Sequence, residues 1–261
     1  MPLITLLTDF GTRDQYVASL KGVILHIAPS ATVVDVTHKI PPRDVIRAAL
    51  MLRQIWPWYP PGTIHVAVVD PGVGSRRRIL AGRYDGRFVV APDNGLVSML
   101  HRELRVEAMH VVENPRYMLG KVSPTFHGRD IMAPVAAHLA SGVPIEKLGP
   151  PTDHLEILKF ATPERMPDYS IVGEVLYADQ FGNLVTNIAR NHLLQTYQHR
   201  SGVEVYLDGV RIGPIRTSYH EVDSGKPLAL IGSDNHLEIA VNCGHAGQTL
   251  SANRGSKVEV R

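Results

Sequence analysis

Cysteine is almost missing from this chain, because Cys243 is the single one among 261 residues. One cysteine excludes an intramolecular disulfide and a cluster of several metal-binding thiolates, and it is typical of proteins in a reducing compartment. Long apolar runs are missing too, since none approaches the roughly 20 residues of a membrane-spanning helix. The N-terminal stretch reaches Asp9 too early for a signal peptide. We therefore expect a cytoplasmic protein without a membrane partner.

Aromatic residues and excess charge are also scarce. Aromatic side chains make up 6% of the chain, and 27 basic residues nearly balance 25 acidic ones, for a net charge of +2. A nucleic-acid-binding surface normally combines a dense basic stripe with aromatic stacking partners. The one dense basic cluster here is Arg76, Arg77 and Arg78. We therefore expect no nucleic-acid partner.

Sequence signatures of cofactor and metal sites are absent as well. The chain has no GxxxxGK[ST] phosphate loop, no GxGxxG after a strand, and no HExxH or CxxC spacing. The triplet Asp9-Phe10-Gly11 spells the kinase magnesium motif, but no glycine-rich loop precedes it. We expect neither a metal ion nor a cofactor.

What the chain does contain, over residues 1–150, is an alternation of apolar runs and helical periodicity. Strands are predicted at 3–7, 32–36, 64–69, 79–84, 87–90 and 107–111. Helices are predicted at 14–27 (with Asp14 as N-cap), at 43–56, after 93–95, and at 131–139. This order is typical of a mostly parallel α/β sandwich. After a proline-bearing linker at 151–168, short alternating runs over 169–261 predict a smaller antiparallel β domain, of barrel or sandwich type.

The most informative segment is the turn that follows the predicted strand at 64–69. Asp70 ends this apolar run, which brings its carboxylate to the carboxyl edge of a sheet, where open α/β folds bind ligands. Gly72 and Gly74 permit a tight turn, and three arginines then lie close enough to pair with Asp70. Such a pair is either a structural ion pair or part of an active site. His127, in a loop before a helix, adds a group that can transfer protons near neutral pH.

Further acidic residues lie in or directly after predicted strands, namely Asp9, Asp35, Asp93 and Asp179. Each of them alone is more typical of a cap or a turn than of a ligand-binding residue. Taken together, and without a phosphate-binding loop, they predict a polar small-molecule site whose carboxylates bind hydroxyl groups. A nucleoside or a sugar fits such a site.

Five motifs resemble, in order and approximate spacing, those of the S-adenosyl-L-methionine hydroxide adenosyltransferases, which include S-adenosylmethionine hydrolases and are related to fluorinase and chlorinase. The motifs are LTDFGTRD at 7–14, VDPGVG at 69–74, APDNGL at 91–96, FHGRD at 126–130 and DQFGNLVTNI at 179–188. The resemblance covers nearly the whole chain. It implies an N-terminal α/β domain, a C-terminal β-barrel, and hydrolysis of S-adenosyl-L-methionine to adenosine and L-methionine. It also implies a homotrimer whose active site lies between the first domain of one subunit and the second domain of its neighbour.

The same resemblance implies roles for individual residues. The family's Asp-Arg-His triad falls on Asp70, Arg77 and His127, and Arg77 is the arginine at the family's distance from the aspartate. The residues implied in substrate binding are Asp9 on the ribose hydroxyls, Asn183 on the adenine edge, Asp14, Asp179 and Ser233 on the methionine part, and Phe181 in the same motif as Asn183.

These residue types suit the reaction. A sulfonium leaves as a neutral thioether, so no general acid is needed and proton transfer is confined to the attacking water. Asp70 would orient this water or take its proton, while Arg77 and a cationic or hydrogen-bonding His127 assist. Halide-using relatives have tyrosine in place of Asp70, and a carboxylate favours water over an anion. Two alternatives stay open: a halide-using 5′-halo-5′-deoxyadenosine synthase, and a non-catalytic sensor of S-adenosylmethionine or adenosine.

Overall fold

The computed structural model describes residues 1–197 and 202–261. The chain divides into two compact units, Met1–Lys159 and Phe160–Arg261. The division falls within the segment 151–168 that the sequence predicts as a linker. The exact boundaries of the predicted domains stay predictions.

The first unit is a six-stranded sheet with helices on both faces. Its strands are β1 (Leu3–Thr8), β2 (Thr32–Thr37), β3 (Ile64–Val68), β4 (Ile79–Tyr84), β5 (Arg87–Pro92) and β6 (Val106–Val111). Its α-helices are α1 (Tyr16–Ile27), α2 (Val45–Ile55), α3 (Ser98–Glu103) and α4 (Ala133–Ala140). Single turns of other helix types lie at Trp56–Trp58, Pro115–Tyr117, Gly128–Met132 and Ile145–Lys147. The strand order is β2-β1-β3-β5-β4-β6, and only β4 runs against the others, so the predicted mostly parallel α/β sandwich is confirmed.

The central strand β3 shows why apolar runs in the sequence predict the strands of this sheet. Ile64, Val66 and Val68 belong to the core formed with α1 and α4, whereas Ala67 and Val69 belong to the core formed with α2 and α3. Successive side chains of a strand point to opposite faces. A strand covered by helices on both faces is therefore mostly apolar, and His65 is the polar side chain that β3 buries.

Helix α1 begins later than the capping pattern predicts. It starts at Tyr16, and Gln15 occupies the N-cap position without a side-chain hydrogen bond, so the prediction that Asp14 caps this helix is wrong. The Tyr16 ring centroid lies 5.8 Å from that of Phe10 and 5.3 Å from that of Phe126. The first residue of the helix is thus held by aromatic packing, which is a tertiary contact that the capping pattern does not include.

The second unit is a barrel. Its strands are β7 (Glu164–Arg165), β8 (Ile171–Ala178), β9 (Leu184–Ala189), β10 (Glu204–Leu207), β11 (Val210–Arg216), β12 (Pro227–Ile231), β13 (His236–Val241) and β14 (Lys257–Val260). Its helices are α5 (Arg190–Tyr197), α6 (Ala246–Thr249) and a single turn at Tyr219–Glu221. The seven strands from β8 to β14 close through the β14–β8 pairing, and all neighbours are antiparallel except β11 and β12. The predicted antiparallel β-barrel is confirmed.

Within residues 1–197 and 202–261, no helix combines the length and the apolar character needed to cross a bilayer.

Candidate active site

The candidate site lies at the carboxyl edge of the sheet in the first unit. Asp9 follows β1 and Asp70 follows β3 after Val69, and these two strands are parallel neighbours. Parallel strands that end together bring the residues after them to one edge. Both aspartates line one cavity there.

Arg77 folds back over the turn and pairs with Asp70. Its Nε donates to Asp70 Oδ1 at 2.9 Å and to Oδ2 at 3.0 Å, and its Nη2 donates to Oδ2 at 2.5 Å. The Arg77 and Asp70 side chains are only 10% and 6% exposed. Removal of one partner of such a buried ion pair destabilises the protein, because the charge of the other partner is left uncompensated.

His127 is the third member of this group. Arg77 Nη2 lies 2.8 Å from His127 Nδ1. A guanidinium has only donors, so His127 Nδ1 must accept this hydrogen bond, and the ring proton is assigned to Nε2. Burial, together with the positive charge of Arg77, lowers the pKa of His127 below its ordinary value, although Asp70 and Asp130 oppose this shift. The hydrogen bond from Arg77 and the lowered pKa both favour the neutral imidazole over the cationic form.

Gly74 allows the loop of Asp70 and the loop of His127 to meet. Its backbone is left-handed, with φ +79°, and a Cβ built on it would lie 2.4 Å from the carbonyl oxygen of Pro124. This approach is closer than any side chain permits. The backbone of residue 74 therefore sets the distance between the two loops.

We expect Gly74→Ala to lower the free energy of unfolding by about 2 kcal/mol or more, because it adds backbone strain and a clash. It should also lower turnover, since the two loops must move apart. Gly62→Ala is the matched control, because Gly62 has φ +85° but open space where its Cβ would lie. Urea unfolding and turnover measured on both variants check this. Equal losses in the two variants would show that strain alone, and not the Pro124 contact, accounts for the effect.

The cavity beside these residues has a volume of about 90 Å³. The cavity has room for a few waters or for a small part of a ligand. Phe10, Phe126 and Arg43 also line it. The backbone N–H of Arg43 donates to Asp9 Oδ2 at 2.9 Å. The sequence reasoning missed these three residues, although Phe10 and Phe126 are next to Asp9 and His127 in the motifs.

The neighbouring arginines have other positions. Arg78 Nε and Nη2 donate to the buried carboxylate of Asp93 at 2.9 and 2.6 Å, and Glu156 N donates to the other Asp93 oxygen at 2.8 Å. Asp93 therefore anchors the chain near residue 156, and it does not line the cavity. Arg76 is exposed. Of the three arginines, Arg77 is the one that reaches Asp70.

The motif at 179–188 forms a separate loop in the second unit. Asp179 Oδ1 accepts hydrogen bonds from the backbone N–H groups of Phe181 and Asn183, at 2.8 and 2.9 Å, and Oδ2 accepts one from Asn183 Nδ2 at 3.1 Å. Gly182, with φ +85°, packs against the ring of His245, where a Cβ would lie 2.2 Å from Cγ. The Asp179 carboxylate thus holds this loop together and orients the Asn183 amide.

Phe181 and Asn183 line a pocket of about 610 Å³ in this unit, together with Tyr219, Cys243 and His245. Its volume lies within the roughly 300–1,000 Å³ typical of small-molecule sites. The Tyr219 hydroxyl donates to Glu238 Oε1 at 2.6 Å, and burial raises the pKa of both groups.

The two remaining residues that are predicted to bind the substrate are exposed. Asp14 precedes α1, and Ser233 lies in the turn between β12 and β13. Neither lines one of the two cavities described above. Their roles in binding stay predictions. Among the described residues, no three His, Cys, Asp or Glu side chains are grouped so that they could hold a metal ion.

The chain is similar to known proteins over almost its whole length. Residues 4–149 match the profile of the SAM hydroxide adenosyltransferase N-terminal domain, and residues 173–259 match that of the C-terminal domain. The chain is 40% identical over 264 residues to (R)-S-adenosyl-L-methionine hydrolase of Thermus thermophilus, covering 97% of each protein. It is 29% identical over 290 residues to fluorinase of Nocardia brasiliensis, covering 100% of this chain and 97% of the fluorinase. The crystal structure of an uncharacterized conserved protein from Thermotoga maritima matches with a TM-score of 0.92 and 36% identity, covering 98% of this chain and 99% of that one.

Proposed function

This chain belongs to the SAM hydroxide adenosyltransferase family, and we propose that it hydrolyses S-adenosyl-L-methionine to adenosine and L-methionine. The observation that carries the proposal is the mutual contact of Asp70, Arg77 and His127, two of which line one cavity. The 40% identity to a protein named for this reaction supports the same substrate. In the proposed path, a water attacks the 5′-carbon of the ribose.

The bond changes balance without an added acid. The carbon–oxygen bond forms, the carbon–sulfur bond breaks, and its electron pair stays on sulfur, so methionine leaves as a neutral thioether. The attacking water becomes strongly acidic once it bonds to carbon, and the Asp70 carboxylate takes its proton although Arg77 also binds this carboxylate. Positioning of reactants lowers reaction barriers by about several kcal/mol, and orienting the water in line with the breaking bond is an effect of this kind. The scheme uses no metal and no cofactor, and unchanged turnover after dialysis against a chelator is the expected result.

His127 supports this arrangement as a neutral donor. Its Nδ1 accepts from Arg77, so its Nε2–H is the group that it offers to the cavity side or to solvent. Protonation of Nδ1 would replace the acceptor by a second donor and break the contact with Arg77. In the proposal, His127 therefore holds Arg77 in place and is not the base.

The pH dependence of turnover tests this role. Since burial and Arg77 lower the pKa of His127, the neutral ring persists as the pH falls below the ordinary value near 6.5 and is lost only at the lowered pKa. We expect kcat/KM to stay constant between about pH 7 and about pH 9 and to decline with an apparent pKa below about 6.5. The His127→Asn variant, which lacks the titrating ring, is the comparison. An acidic limb centred above the ordinary histidine pKa, and absent from this variant, contradicts the assignment.

We extend the proposal to the residues that bind the substrate. Asp9 accepts one hydrogen bond from Arg43 N and keeps lone pairs for the ribose hydroxyls. Asn183, oriented by Asp179, offers its amide to the edge of adenine. Phe181 is 67% exposed, so its ring face is available for stacking. Asp14 and Ser233, with Asp179, are proposed to hold the methionine part.

The proposed assembly is a homotrimer in which the first domain of one subunit and the second domain of its neighbour form each site. A small cavity beside Asp70 and a larger pocket beside Asn183, both within single units, support a substrate that needs two surfaces. Mixing Asp70→Ala with Asn183→Ala subunits after mild dissociation tests this. Random reassembly of a ring would restore about one quarter of the wild-type sites. No restored activity would count against a shared site.

The decisive experiment for the reaction itself uses S-adenosyl-L-methionine in halide-free buffer made with ¹⁸O-water. We expect adenosine and methionine in equal amounts, with the label in the adenosine 5′-hydroxyl. Adenosine without the label would exclude direct attack of water. Addition of fluoride or chloride tests the halide alternative, which requires a 5′-halo-5′-deoxyadenosine product. Bound but intact S-adenosyl-L-methionine would identify a sensor instead.

A further inference from the structure

We infer that Asp130 is a positioning residue for the reaction, and that it sets the placement of His127 and Phe126 by holding both ends of their loop. This inference rests on the proposed function, because it concerns the same cavity. Asp130 is completely buried, yet it carries a carboxylate that lies outside the triad. A buried carboxylate is retained only where it is fully hydrogen-bonded. Its partners therefore indicate its role.

Asp130 lies after His127 and binds three backbone positions that precede it. Its Oδ2 accepts from Ser123 N at 2.8 Å, and its carbonyl oxygen accepts from Leu119 N at 2.9 Å. Its own N–H donates to the carbonyl oxygen of Phe126 at 3.1 Å. Three backbone positions before His127 are thus joined to Asp130, which lies after it, so the loop cannot shift without breaking several of these bonds.

The side chain of Arg129 connects Asp130 to the cavity wall. Arg129 Nε donates to Asp130 Oδ1 at 2.6 Å and Nη2 donates to Oδ2 at 3.0 Å. The same guanidinium lies 4.8 Å from the centroid of the Phe126 ring, within the range of a cation–π contact. Phe126 lines the cavity. Asp130 therefore fixes the arginine that in turn restrains this ring.

The helix that begins after His127 adds a second argument. Gly128–Met132 is one turn of π-helix. This element is rare in proteins overall, but where it occurs it is often at a functional site. Asp130 lies in this turn, three residues after His127. The charged groups that act on His127 are Arg77, Asp70 and Asp130, so Asp130 affects the imidazole by its charge as well as by the loop.

The test compares Asp130→Asn with a matched control, Asp93→Asn. Asp93 is also a buried aspartate that pairs with an arginine and accepts a backbone N–H, but its partners are Arg78 and Glu156. We expect Asp130→Asn to lower kcat about 10- to 100-fold with little change in KM, because a small displacement of the triad costs about that much. Removal of a negative charge should also lower the pKa of His127 by about half a unit or more, measured by NMR titration of its ring. Asp93→Asn should lose stability but leave this pKa unchanged.

The NMR readout needs no substrate, so it separates this inference from the proposed function. Absence of turnover in the wild-type protein would refute the function alone, whereas a His127 pKa that Asp130→Asn does not move would refute the role of Asp130. Equal changes in Asp93→Asn would also overturn it, since they would reflect general destabilisation. If Asp130→Asn does not fold, the partly exposed Arg129 is changed to glutamine. We expect this variant to fold and to lose about tenfold in kcat, and wild-type kcat there would overturn the inference.

Discussion

Replacing Asp70 by alanine is expected to lower kcat by about 10³-fold or more, the upper part of the range for a group that handles a proton in the transition state. The substitution removes the acceptor for the water proton, and it also leaves Arg77 unpaired in a site where its side chain is 10% exposed. Arg77 would then lose its fixed orientation toward His127. Adenosine should still bind with a Kd changed by less than about threefold, because Asp70 acts on the water and not on the nucleoside.

Single-turnover kinetics and calorimetric binding of adenosine measure these two quantities separately. Asp93→Ala serves as the control, since it removes another buried carboxylate that pairs with an arginine of the same unit, outside the cavity. Both variants should lose about 3 kcal/mol of stability or more, as expected when one partner of a buried pair is removed. Only Asp70→Ala should lose its chemistry. A kcat within tenfold of wild type for Asp70→Ala, in protein that remains folded, would remove Asp70 from the mechanism.

The second large effect concerns stability in acid and arises from His65. This residue of β3 is buried, its Nδ1 lies 2.7 Å from the Thr5 hydroxyl, and its ring centroid lies 4.6 Å from that of Trp56. Burial, with a smaller contribution from the charge of Arg87, lowers the pKa of His65 from 6.5 to about 3. The folded protein therefore keeps this ring neutral in mild acid.

The sign of the effect follows from which state binds the proton. Below pH 6.5 the unfolded chain protonates His65 while the folded chain does not, so the free energy of unfolding falls as the pH drops toward the folded-state value near 3. The slope approaches about 1.4 kcal/mol per pH unit, and the total loss from this one residue is roughly 5 kcal/mol. At neutral pH the protonation of His65 does not lower the free energy of unfolding.

His65→Gln should flatten this dependence. The variant loses the ring stacking and is less stable at pH 7, but its stability should decline less steeply between about pH 6 and about pH 4. Both tryptophans of the chain, Trp56 and Trp58, lie in the first unit, so urea unfolding followed by tryptophan fluorescence reports on that unit. The control is His154→Gln at an exposed position. Parallel stability curves for wild type and His65→Gln would show that the ring titrates normally.

Much of the fold was predictable because its elements have strong local patterns. Strands β1, β3 and β4 are formed by apolar runs of the sequence, because both of their faces are covered. The sequence alone therefore marks them as buried strands. Strand β11 is the counterexample in the barrel. Gly213 and Pro214 interrupt its alternation of apolar and polar residues, so the local pattern does not mark it as a strand. Asp208 and Gly209, both with positive φ, form the two-residue turn that starts it. Its pairing with β10 across this turn and with β12 on its other side stabilises it as a strand.

The sequence by itself determined which segments of the first unit become strands, and it placed Asp9 and Asp70 after two of them, because side-chain polarity along a strand is a local property. The resemblance to the family assigned Arg77 and His127 to the same site as these two aspartates. Only the tertiary structure decided that Arg77 Nη2 reaches both Asp70 and His127, and that His127 is a neutral acceptor. These outcomes depend on contacts between residues 50 positions apart and on the burial that such contacts create, which no local pattern encodes.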